Sequence, residues 1–276
     1  NALSDVRKDI YIATKTGSTT VEGFWQDLET SLKNLKTDYI DIYQFHNPSF
    51  CPKPGDGTGL YEAMLEAKAQ GKIHFIGLTN HRLPVAIEAC ESGLYDTIQF
   101  PFSYLADQKD IDLVHKCKEH NIGFICMKAL SGGLINRSDA AYAYLAQFDN
   151  VLPIWGIQKE SELDEFISYQ TKAPELTQEI QDLIEHDRKE LAGDFCRGCG
   201  YCMPCPKDIQ INQCARMSLM LRRAPAASWL NDHWQNEMKK IEECLNCGKC
   251  MTKCPYHLNT PELLKKNYKD YKTFLK

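Results

Sequence analysis

The chain has 276 residues, 43% of them apolar and 25% charged, which suits a globular protein with one large α/β domain and a small appendage. Lys and Arg (32) fall short of Asp and Glu (37), and a net charge of −5 gives no electrostatic footprint for nucleic acid. No apolar run approaches bilayer-spanning length, so neither nucleic acid nor membrane is an expected partner.

In chain order, NALSDVRKD reads as the tail of a helix, and from residue 9 two textures alternate. DIYIATK, YIDIYQFH, IHFIGLTN, TIQFPFSY, GFICMKAL and VLPIWGIQ are short β-branched and aromatic runs, the pattern of buried strands. Helical patterns lie between them. In VEGFWQDLETSLKNL, Val21, Phe24, Trp25, Leu28, Leu32 and Leu35 recur along one face. GLYEAMLEAKAQGK carries its expected stop at Gly71, and RLPVAIEACESG, KDIDLVHKCKEHN, DAAYAYLAQF and SELDEFISYQTK complete the series.

Six strands, each followed by a helix, predict parallel βα units. A closed (β/α)8 TIM barrel takes roughly 250 residues, about 30 per unit, so six units expect two more upstream and about 60 further residues. An open doubly wound sheet would also use six strands, but no GxGxxG follows the first one. The fold class expected is therefore α/β, a (β/α)8 barrel truncated at its front. Residues 1–173 form that barrel part, 174–193 (with PELTQEIQDLIEHDRKELAG) a connecting amphipathic helix, and 194–276 an α-rich, cysteine-rich module.

Eight of the 13 cysteines fall in two runs, CRGCGYCMPCP (Cys196 to Pro206) and CLNCGKCMTKCP (Cys244 to Pro255). Clustered spacing of this kind points to metal ligation in a reducing compartment, the cytoplasm, rather than to a disulfide framework. Three cysteines at two-residue gaps wrap one cubane and cannot reach its fourth iron. In two-cluster ferredoxins the cysteine before the proline serves the other cluster. That rule assigns Cys196, Cys199, Cys202 and Cys254 to one [4Fe–4S] centre and Cys244, Cys247, Cys250 and Cys205 to a second. Structural zinc uses C-x2-C pairs across a longer loop, which leaves the third cysteine and the Cys-Pro ending without a role. Gly198, Gly200 and Gly248 leave backbone N–H groups free to face the sulfurs. Cys90, Cys117 and Cys126 sit on expected buried faces, and Cys214 lacks ligand spacing.

In such a barrel the chemistry lies at the C-terminal ends of strands. There stand Lys15, His46, Thr79, Asn80, Gln99, Lys128 and Gln158. A Lys and a His facing each other across a barrel mouth outline an acid/base site. Position alone equally admits a core His and a rim Lys reaching to water.

DVRKDIYIATKTG, DLETSLKNLKTDYIDIYQFHN and GKIHFIGLTNH resemble the aldo-keto reductase family over about residues 1–170. With CxxCxxCMPCP, the chain is similar to the subgroup carrying a ferredoxin-type 4Fe–4S module. The resemblance implies a nicotinamide cofactor, NADP or NAD, delivering hydride to a small carbonyl substrate. It makes Lys15 the lysine that lowers a tyrosine's pKa, and His46 the histidine that polarises the carbonyl oxygen. Asn80 and Gln99 match the positions that hold the nicotinamide amide, with Thr79 in place of the usual Ser. Met127 replaces an aromatic residue that stacks on the ring in many members. For a 2′-phosphate the last loop offers Lys159 amid Glu160, Glu162, Asp164 and Glu165. The family's catalytic Asp and Tyr precede the lysine, and no matching segment precedes Lys15. The expected function is thus iron–sulfur carbonyl reduction by the full-length protein. The alternative is an electron-transfer or interaction protein whose barrel is a scaffold, and either reading allows an outside redox partner. Hydride transfer moves two electrons and a cluster one, so coupling them usually requires a flavin or radical step.

Overall fold

The computed structural model describes residues 4–191, 195–223 and 225–275. They divide into two compact units. The first takes the chain up to Pro101 with Ala106–Met127 and Phe148–Ile154, and the second takes Phe102–Leu105, Lys128–Gln147 and the chain from Trp155 on.

The first unit is a parallel sheet of β1 (Ala13–Thr16), β2 (Ile40–His46), β3 (Ile73–Thr79), β4 (Thr97–Pro101), β5 (Gly123–Met127) and β6 (Val151–Pro153), paired in that order. A doubly wound sheet reverses its direction at a switch point. This one never does among the described residues, which is the winding of a barrel wall. Helices α1 (Val21–Leu35), α2 (Leu60–Ala69), α3 (Leu83–Ser92) and α4 (Gln108–Glu119) alternate with the strands.

Local chemistry explains these bounds. Thr20 caps α1 by accepting the Gly23 N–H at 3.2 Å, and Lys36 ends it in the left-handed region. Gly71, at φ +73°, follows α2 as the expected stop. The apolar stripe of α1 is narrower than its sequence pattern: Phe24, Leu28 and Leu32 are buried, whereas Val21 and Leu35 are exposed at the ends. Phe24 meets Tyr43 of β2 edge-on at 5.7 Å, and each such buried side chain contributes about 1.5–3 kcal/mol.

Register then sorts the strand residues by face. Lys15, Gln44, Gly77, Thr97 and Gly123 are partners in successive strands, and His46, Thr79, Gln99, Ile125 and Leu152 are the next such row. Both rows point to one face, because neighbours in register share a side of the pleat. The opposite face carries Tyr43, Phe45, Ile76, Leu78, Ile98, Phe100 and Phe124, all buried.

The second unit contains α5 (Ser138–Leu145), α6 (Glu160–Thr171), α7 (Gln178–Glu190) and the cysteine-rich segment. Asp187 of α7 accepts from the Tyr104 hydroxyl at 2.5 Å and pairs with Arg223 at 2.7 Å, both side chains of that pair being buried. In the cysteine-rich segment the helices are short: α8 (Ile211–Cys214), α9 (Met217–Arg223), α10 (Asp232–Lys239), α11 (Lys249–Lys253) and the longer α12 (Thr260–Tyr271). Ile209, Ile211, Met217, Leu221, Met238, Ile241, Leu264 and Tyr271 form its core. Asn267 of α12 stitches that core by donating to the Ala215 carbonyl at 3.1 Å and accepting the Ser218 N–H at 2.8 Å. Cys214 lies inside the core, where burial pushes its thiol up to about 12.

Candidate functional site

At the strand ends of the first unit, Asn47 adopts the left-handed conformation directly after His46. Its N–H donates to the Thr79 carbonyl at 2.7 Å and its Oδ1 accepts the His81 N–H at 3.1 Å, which clips the ends of β2 and β3 together. His46 projects from that clip. Partial burial and then the charge of Lys15 hold its imidazole below the usual value, so it is neutral around pH 7. Lys15 is itself held one residue before Thr16, whose hydroxyl donates to Asp27 of α1 at 2.6 Å; Ser18 donates to the same oxygen at 2.7 Å.

The remaining expected positions are placed less simply. Thr79 and Gln99 share the row of His46, and the Gln99 Nε2 lies 3.7 Å from the Met127 sulfur. The Asn80 amide is used at both ends: Nδ2 donates to the Pro48 carbonyl and Oδ1 accepts the Arg82 N–H, each at 2.8 Å. Lys159 belongs to the second unit and precedes α6, where the Glu162 carboxylate accepts the N–H groups of Gln158 and Lys159 at 2.8 and 3.2 Å. Gln44 was not anticipated. It is fully buried beside Lys15 in register, with neither amide atom partnered, and Gly77 opposite leaves the room it fills. Its signal lay in the strand period, which puts residues 44 and 46 on the same face.

In the second unit the eight clustered cysteines sort into two cavities. One is lined by Cys196, Cys199, Cys202 and Cys254 with Ile211, Ala215 and Leu258. The other is lined by Cys205, Cys244, Cys247 and Cys250 with Pro204, Pro206 and Ile209, and Cys202 reaches its wall as well. Each cavity thus draws three thiols from one run and one from the other. Gly198 donates its N–H to the Cys196 sulfur, and Lys207 to that of Cys205, both at 3.4 Å. Gly198 stands at φ +66°, a conformation costing a residue with a Cβ about 1–2 kcal/mol.

The donor set fits an iron–sulfur cluster. As bare thiols Cys196, Cys199, Cys202 and Cys250 are pushed up chiefly by burial, Cys202 to about 12. Bound iron is what lets several such thiols ionise in one apolar cavity. Among the described residues no three His, Cys, Asp or Glu side chains converge on a point, as ligands of a single ion do. In a cubane each thiolate holds its own iron at a separate corner.

Comparison with known proteins follows the same division. The model of the aldo/keto reductase family matches residues 1–143, more than half of the chain. This chain belongs to the aldo/keto reductase family. A 4Fe-4S dicluster domain matches residues 195–259, the segment that carries both cysteine runs. Methylglyoxal reductase DkgB of Salmonella typhi is 34% identical over 160 residues, 54% of this chain and 56% of that protein. The uncharacterized oxidoreductase YqkF of Bacillus subtilis is 29% identical over 147 residues, 49% of this chain and 47% of that protein. The chain therefore spans about half the length of the curated relatives it matches. Among solved structures, an aldo-keto reductase from Bacillus halodurans in its holo form aligns with a TM-score of 0.56 at 22% identity. That alignment covers 67% of this chain and 74% of that one, a likeness of fold. Among the described residues of this aldo/keto reductase family member, no helix is long and apolar enough to cross a membrane.

Proposed function

We propose that the protein is an iron–sulfur oxidoreductase in which a nicotinamide-dependent, carbonyl-reducing barrel carries two [4Fe–4S] clusters. The observation that carries this reading is the sorting of eight thiols into two cavities, each completed by a cysteine of the other run. Cys196, Cys199, Cys202 and Cys254 would hold one cluster and Cys205, Cys244, Cys247 and Cys250 the other. Residues 1–173 would supply the barrel part, 174–193 the connecting helix and 194–276 the module. A reducing compartment, the cytoplasm, suits so many thiols.

Bound nicotinamide supplies hydride. The residues present do the rest of the work at the carbonyl. Neutral His46 donates a hydrogen bond to the carbonyl oxygen and so favours the developing oxyanion. Lys15 sets a cation beside the same oxygen, and beside the family's tyrosine when that residue is in place. Gln99 and Thr79 would be the residues to receive the nicotinamide amide, and Lys159 would be a cation for a 2′-phosphate. By resemblance to the family, reduction would also call on a Tyr and an Asp. Small oxo-aldehydes of the methylglyoxal kind, named for one relative, are the first substrates to try.

Anaerobic iron and acid-labile sulfide analysis tests the clusters. About eight irons per chain are expected, and zinc without sulfide would sink the reading. Titration of the full-length protein with NADPH and NADH, followed by turnover of small aldehydes, tests the barrel. The scaffold alternative predicts clusters without nicotinamide binding. It has one observation in its favour: the Asn80 amide and the α6 amides are already satisfied internally.

A further inference from the structure

One buried charge in the cysteine-rich segment has no counterpart. Arg216, between α8 and α9, is 8% exposed. Its Nε donates to Gln213 at 3.3 Å, and among the described residues no carboxylate lies within ion-pair distance of it. Arg7, Arg222 and Arg223 each pair with carboxylates. Its guanidinium lies instead against Gly198, in the loop between Cys196 and Cys199. Two glycines make room for the guanidinium: a Cβ on Gly132 would stand 2.7 Å from one of its terminal nitrogens, and a Cβ on Gly198 2.9 Å. Both glycines have positive φ, so the chain bends around this cation from two separate loops.

Arginine stays charged at any ordinary pH, and a buried unpaired cation is strongly disfavoured. A fold that keeps one must supply an anion. Four thiolates outnumber the positive charge of an iron–sulfide core, so the assembled site is anionic and becomes more so on reduction. The second cavity has a different electrostatic setting. Its cationic lining residues, Lys207 and Lys249, are exposed, Lys207 is paired with Glu243 at 3.4 Å, and Cys247 is open to solvent. Screened charges of this kind count for little.

We propose that Arg216 is the counter-ion of the cluster held by Cys196, Cys199, Cys202 and Cys254, and that it makes this cluster the higher-potential one of the pair. A fixed cation close by stabilises the reduced form more than the oxidised one, because the reduced form carries one more negative charge. The first electron added to the protein then resides there, and electrons entering at the solvent-open cluster pass to it. The electron comes from a one-electron donor, and no bond forms or breaks. This inference rests on the two-cluster reading above.

The test is an anaerobic mediated titration with dithionite, followed by electron paramagnetic resonance, on the wild type, Arg216→Met, Arg216→Gln, Arg216→Lys and Lys249→Gln. Iron and sulfide are assayed on every sample. Arg216→Met and Arg216→Gln should lower the reduced-to-oxidised ratio of the higher-potential couple at least tenfold at fixed ambient potential, about 59 mV for one electron. Arg216→Lys should restore most of it, and Lys249→Gln should leave that couple where it was. If both neutral variants lose iron while Arg216→Lys keeps it, the charge is required and the counter-ion role stands. Full iron with unmoved midpoints in Arg216→Gln overturns the proposal. So does iron loss in Arg216→Lys, or a shift confined to the lower-potential couple. A wild type without sulfide would defeat the two-cluster reading itself, a result the assays separate from the others.

Discussion

The sheet unit and the cysteine-rich segment build their sites in opposite ways. In the sheet unit Phe24, Leu28, Tyr43, Leu78 and Phe124 are packed on one face, and Lys15, Gln44, His46, Thr79 and Gln99 stand on the other. Backbone pairing fixes those positions before any ligand arrives. In the cysteine-rich segment the thiols sit on loops, with Cys250 on the short helix α11, around cavities whose walls are partly sulfur. Apolar burial holds the first site; the second gathers buried thiols whose ionisation calls for a metal, so its stability is tied to its ligand. Each prediction that follows acts on one side of this difference.

The largest effect should come from removing iron with a chelator under reducing conditions. Hydrogen exchange should then rise over residues 196–254, with β2 and β3 still protected; equal loss in both regions would erase the distinction. Phe24→Ala attacks the other side. It should destabilise the sheet unit by about 3–5 kcal/mol in urea and leave iron content unchanged.

A smaller effect tests the buried pair of Asp187 and Arg223. Burial alone would raise the Asp187 carboxyl, but Arg223 and Tyr104 outweigh it and hold the group below its usual range. The folded value is therefore the lower one, so the pair's contribution is fully present above the unfolded carboxylate value, about 3.9, and is lost as pH falls below that value and through the folded one. Asp187→Asn should unfold at lower urea than the wild type at pH 7, and the two midpoints should converge as pH falls through the depressed folded value of Asp187. The smallest expected change is local. Lys15→Met should raise the His46 pKa, read by NMR, since one of the two causes of its depression is removed. An unmoved His46 would separate the two residues and leave the strand-end site without its charge coupling.

Much of this molecule was legible in its sequence. Short β-branched and aromatic runs located the six strands, and the 3.6-residue period located α1 to α7, since strands buried on both faces read as near-continuous apolar runs and a helix buries one stripe. Pattern could not show the trimmed ends of α1, because exposure of Val21 and Leu35 depends on what lies opposite them. Nor could it show that Asn80 spends its amide on Pro48 and Arg82, or that Glu162 satisfies the amides at the start of α6. Those hydrogen bonds depend on loop conformation, which has no period. The strand order also lay beyond pattern: six βα units are compatible with a reversing sheet until the pairing is known.

By itself the sequence determined the parallel βα architecture, the strand-end residues Lys15 and His46, and the two cysteine runs. Each follows from local spacing, and spacing is covalent. Tertiary structure decided which thiols share a cavity, that Gln44 is buried with its amide unpartnered, and that Arg216 is buried against Gly198 between two of the cysteines. Those facts depend on which distant segments the packed core brings together, and burial turns an ordinary arginine at position 216 into a charge that must be answered.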